Sequence, residues 1–260
     1  MEVHHHAHTE RKKWTHYLWE FLMLFLAVFC GFLAEYQLEH KFERDRAKEL
    51  ARSFYDELKA DSAIFHSVMK NRGRKNEALV YLKKYFLDSN LVNCSREFPI
   101  NFCYGFATYS PSVFEPKEAI LEQLKNSGSL RYFKSEALQQ LTGQLAVAIT
   151  SLHQRNSIEL DYSMNQMLPF LIEHNDQKWF DNLGVDSNAF LLDIVEKYEK
   201  SGQEISFKFN KAETLDRSAA ANLIGVYQIL FKGSQFRQYT DYQKLNHELL
   251  VVLRSEYNLE

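Results

Sequence analysis

The chain has 260 residues, with 31 Lys and Arg set against 34 Asp and Glu, a net charge of −3 and a pI near 6.4. That balance offers no basic face to nucleic acid, so a nucleic-acid role is excluded. Nine glycines and four prolines are few breakers for this length and point to a mostly α fold, while twenty Phe and fourteen Tyr supply ample core area for one large domain.

Residues 1–16 read as a basic tail rich in histidine. Within it His4, His5, His6 and His8 are weak candidates for a transition-metal site. A flexible tail gives them no fixed geometry, and a plain polar tail is the other reading. Residues 17–34, YLWEFLMLFLAVFCGFLA, carry one charge, Glu20, near the start. At 1.5 Å per residue they cover ~27 Å, close to the hydrocarbon thickness of a bilayer. Trp14, Tyr17 and Trp19 at one end and Tyr36 at the other fit the aromatic belts of a spanning helix. A cleaved signal peptide lacks its small-residue cleavage pattern here, and Phe29 before Cys30 does not suit a lipoprotein. A buried core helix remains a rival for the 14 uncharged residues from Phe21 to Ala34, but hydrophobicity all round the helix argues for lipid.

Arg11, Lys12 and Lys13 precede the span, while Lys41, Arg44, Arg46 and Lys48 follow it, so charge alone does not orient it. A short basic tail before the first apolar helix and a large domain after it is a signal-anchor arrangement, with the tail cytoplasmic and the domain outside. A carboxylate such as Glu20 costs ~2.5–3.5 kcal/mol at the centre of a membrane helix and less near its ends. Glu20 therefore marks either a proton or ion path or simply an interface within reach of water. Ala27 and Gly31 form a small-xxx-small pair through which two spans could approach.

Residues 35–71 hold no Gly or Pro and read as a helical stalk, with Ala47, Leu50, Phe54, Leu58, Phe65 and Met69 on one stripe. Asn71-Arg72-Gly73-Arg74 predicts a stop, followed by a helix over 76–87. Residues 88–115 read as a long aromatic loop containing Pro99, Gly105 and Pro111, of a length that is often functional. In that loop Cys94 and Cys103 would close a disulfide worth ~2–3 kcal/mol in an oxidising compartment, or stay thiols elsewhere.

Pro116 is expected to open a helix ending before Gly128, and a long helix over 135–172 should kink at Pro169. Short helices over 178–183 and 187–200 follow, the second capped by Gly202. The alternation of Ile205, Phe207 and Phe209 marks an extended connector over 204–210. Helices over 211–231 and 235–257 should form a hairpin turning at Gly233-Ser234. The expected fold is all-α: a transmembrane helix continued as a stalk, then an elongated antiparallel bundle over 72–260.

No Walker loop, dinucleotide fingerprint, nucleophile elbow or zinc-binding HExxH occurs, and His247-Glu248 lacks the second histidine. No residue is nominated as catalytic, and no cofactor is expected. The opening MEVHHHAHTERKKW with YLWEFLMLFLAVFCGFLAEYQLEH, and the later ILEQLKNSGSLRYF over 120–133, resemble an uncharacterised family of bacterial inner-membrane proteins common in Bacteroidota. The resemblance implies a native His-rich start, an N-terminal anchor and a helical domain, and it transfers no functional residue. The leading expectation is a non-enzymatic, membrane-tethered module of the envelope, its domain periplasmic, that binds the bilayer and another protein or itself. The alternative is an oligomer using Glu20 in a proton or ion path. A hydrolase with a site spread over several helices is a third reading.

Overall fold

The computed structural model describes residues 13–106, 113–184 and 190–259. All regular structure among them is helical: α1 (Trp14–Asp88), α2 (Glu97–Phe106), α3 (Ala119–Asn126), α4 (Glu136–Tyr162), α5 (Leu168–His174), α6 (Gln177–Asn182), α7 (Leu191–Ser201), α8 (Arg217–Ser234) and α9 (Thr240–Tyr257). A short 3-10 turn, Ser129–Tyr132, follows α3, with Gly128 in the left-handed region at φ 66°. The chain divides into two compact units, residues 1–51 and 52–260.

The first unit is the N-terminal part of α1. Its apolar stretch is long and apolar enough to cross a membrane, and none of that stretch is buried. Phe21, Phe25 and Phe29 stack at successive four-residue steps along one side of the helix.

The second unit is built on three rods. The first is α1 from Arg52 to Asp88. The second joins α4 to α5 through a π-turn at Ser163–Met167, and the third joins α8 to α9 through a π-turn at Gln235–Tyr239. The third rod runs antiparallel to the first, as its cross-links show. Arg254 donates to Tyr55, Tyr242 to Asp61, Arg72 to the Phe231 carbonyl, and Arg217 to the Phe86 and Ser89 carbonyls. It also runs antiparallel to the second rod, since Arg155 donates to the Leu230 carbonyl and Tyr162 to the Leu223 carbonyl.

Two stops predicted from glycine are absent. The helix passes through Asn71–Arg74, and Gly233-Ser234 is no hairpin. A lone glycine inside a helix costs only ~1 kcal/mol against alanine, less than the interactions that Arg72 and Ser234 make in the core. The predicted stalk is also core from its second half on: Phe54, Tyr55, Leu58, Phe65 and Val68 are all buried.

The predicted aromatic loop contains a helix. In α2, Phe98, Phe102 and Phe106 recur every four residues and are buried, and Pro99 is tolerated because it lies in the first turn. α2 lies so close to α1 that a Cβ on Gly105 would stand 2.7 Å from Leu82 Cδ1. The connector over 204–210 is neither helix nor strand. Phe207 and Phe209 cover this cluster, each 5.5–6.0 Å from Phe98 and Phe102. α3 starts at Ala119, three residues after Pro116, and α1 supplies its N-terminal acceptors: Glu57 takes the Ile120 N–H and Asp61 the Lys117 N–H.

Candidate functional site: a buried polar network and an outward apolar face

Arg72 is 0% exposed and Glu159 1%. The guanidinium meets the carboxylate through two parallel bonds, Nη1 to Oε1 at 3.0 Å and Nη2 to Oε2 at 3.1 Å. Its Nη2 also donates to the Phe231 carbonyl (2.7 Å) and to Ser234 Oγ (3.0 Å), and its face lies over the rings of Phe231 and Tyr239. Such planar, bidentate pairing is what lets an arginine sit in a core. The Ser234 hydroxyl completes the knot, donating within reach of Glu159 and the Phe231 carbonyl.

From there the bonds lead outward. Tyr239, presented by the π-turn, takes the Phe114 N–H (2.9 Å) and donates to Asn156 Oδ1 (3.1 Å); burial pushes its phenol up to about 12. Asn156 donates in turn to the Phe114 carbonyl and to Glu115. Beside Arg72, Lys75 lies over the Tyr227 ring, and burial pulls its ammonium down to about 8. A second set joins α1 to α9. Asp61 accepts from Tyr242 and the Lys117 N–H, and burial raises its carboxyl above the ordinary range.

At the surface end, His153 Nε2 lies 3.1 Å from Glu115 and 3.3 Å from Glu118. Glu115 and His153 line an open pocket of about 480 Å³ together with Ser157, Leu160, Asp161 and Met164. Among the described residues no hydrogen bond joins Ser157 to His153, so the nucleophile–base pair that acyl transfer uses is not assembled. Nor do three His, Cys, Asp or Glu side chains among the described residues group as metal ligands.

The residues singled out from sequence fall elsewhere. Glu20 lies 3.1 Å from His16 Nε2, both about half exposed. Cys94 and Cys103 are both free thiols, so the disulfide is not formed. Cys103 is buried in α2, and burial pushes its thiol well above the usual range and that of Cys94 up to about 11, which makes both poor nucleophiles. His4, His5, His6 and His8 lie outside the described residues.

The polar network was not nominated from sequence, yet a signal exists. Leu58, Phe65, Arg72, Leu79 and Phe86 step by seven, as do Leu138, Leu145, Leu152 and Glu159, and all nine are buried. A charge standing in register on a core stripe is the mark of a buried partner.

The outer side of the third rod differs. Val226, Ile229 and Phe236 share one face and are exposed, Ile229 by 71% and Phe236 by 78%. Comparison with protein-family models, curated proteins and solved structures finds no match to the chain.

Proposed function

We propose that the chain is a membrane-anchored, non-enzymatic helical interaction module of the bacterial envelope. In this reading residues 17–34 cross the inner membrane, the His-rich tail is cytoplasmic, and the bundle is a periplasmic module that binds another protein. Kinship with the Bacteroidota inner-membrane family belongs to the same proposal.

The observation that carries it is the apolar stretch of α1. Phe21, Met23, Leu24, Phe25, Val28 and Phe32 each stand more than half exposed, an unbroken apolar surface far larger than a soluble chain leaves in water. The bundle supports the non-enzymatic half. Among its buried charged groups, Arg72 with Glu159 and Asp61 with Tyr242 are engaged in holding rods together. Phe98, Phe102 and Phe106 are core and offer a partner no surface, whereas Val226, Ile229 and Phe236 on the outward side of the third rod do.

Chemical crosslinking of native membranes, read by mass spectrometry, tests the module. Reproducible crosslinks from residues 52–260 to one other protein are expected. Crosslinks to no protein would contradict the reading.

A further inference from the structure

The outward face of the third rod combines two properties. Val226, Ile229 and Phe236 follow at steps of three and seven, the spacing by which one helix receives another. Between Asp216 and Asp241 the rod carries no Asp or Glu, while Lys232 and Arg237 are exposed, and neither forms an ion pair among the described residues. Arg155 reaches across from α4 to donate to the Leu230 carbonyl. It occupies space that Gly233 leaves free, with Nη2 2.9 Å from where a Cβ would stand. The π-turn helps to make this face, since the same five residues that turn Tyr239 inward leave Phe236 outside.

We infer that this face is the docking surface of the module and that its partner is an amphipathic helix of another protein, apolar on one side and rimmed by carboxylates. The inference rests on the interaction-module reading and adds the partner's chemistry to it. A second copy docking through the same face would set Lys232 and Arg237 against themselves, and like charges across an interface cost several kcal/mol. An apolar centre supplies the area, and the cationic rim selects the acidic partner and speeds its encounter.

The test places p-benzoyl-phenylalanine at Ile229 or Phe236 of the full chain in cells, with Val251, exposed on α9, as control. The expected result is a crosslink from 229 and 236 but not from 251. Its peptide belongs to another protein and carries Asp or Glu beside apolar residues at helical spacing. Its yield falls about tenfold in the K232E/R237E variant, while the thermal midpoint of that variant is unchanged; tenfold corresponds to ~1.4 kcal/mol. A crosslink to lipid, to a second copy or to a peptide without carboxylates overturns the inference, as does a yield indifferent to charge reversal. Crosslinks to a protein from 251 alone overturn it and leave the module reading standing. Crosslinks to no protein from any position overturn both.

Discussion

Arg72 and Glu159 are exchanged between two rods with full burial and bidentate geometry, so their removal is expected to be asymmetric. Glu159→Ala strands a guanidinium in the core and should cost ~3–5 kcal/mol, whereas Arg72→Met with Glu159→Leu removes both charges and should recover most of that loss. Thermal unfolding of the two variants in detergent checks this, and a double variant as unstable as the single one counts against the pair's isolation. Lys75 gives a pH signature. Its folded-state value of about 8 lies below the ordinary 10.5, so between them the folded chain holds fewer protons than the unfolded one, and stability rises with pH across that window. Lys75→Met should therefore be more stable than the natural chain below pH 8, by on the order of 3 kcal/mol, and lose that advantage towards pH 10.5. An advantage that does not change with pH would contradict the burial argument.

Helical periodicity was legible in the sequence wherever it was long: the rods through α1 and α4, the caps at Gly128 and Gly202, and the connector over 204–210. What misled was punctuation. Gly73 and Gly233 resemble stops, yet each sits inside a helix whose neighbours are fixed by tertiary bonds, Arg72 to Glu159 and Ser234 to Arg72. Pro99 and Gly105 made α2 look like loop, although Phe98, Phe102 and Phe106 already carried its four-residue step. The π-turns were not readable at all, because one extra residue in a turn is decided by what Tyr239 and Met167 reach in the core. These assignments separate two kinds of aromatic and apolar residue. Phe102→Ala should cost ~3–5 kcal/mol as a core truncation, while Ile229→Ala should change stability by no more than ~0.5 kcal/mol as a surface one. Thermal midpoints of the two variants decide it; comparable losses would mean that the face of α8 is structural.

At the scale of the molecule, composition anticipated an all-α chain with one helix long and apolar enough to cross a membrane, and the candidate site was almost invisible. Of the residues that sequence brought forward, Glu20, Cys94 and Cys103 share no site with one another, and the tail histidines lie outside the described residues. Arg72 and Glu159 passed unnoticed because charges on helices ordinarily face water, and only their register on a seven-residue core stripe betrays them. The outward face of α8 was missed for the opposite reason: Val226 and Ile229 read as core in any helix, and only the packed bundle leaves them uncovered. Function in this account depends on the first unit holding the second at a bilayer. The direct measurement is extraction of cell membranes with alkaline carbonate. The account predicts that the full chain stays in the membrane pellet and that deleting residues 17–34 releases it. Recovery of the full chain in the aqueous fraction would contradict it.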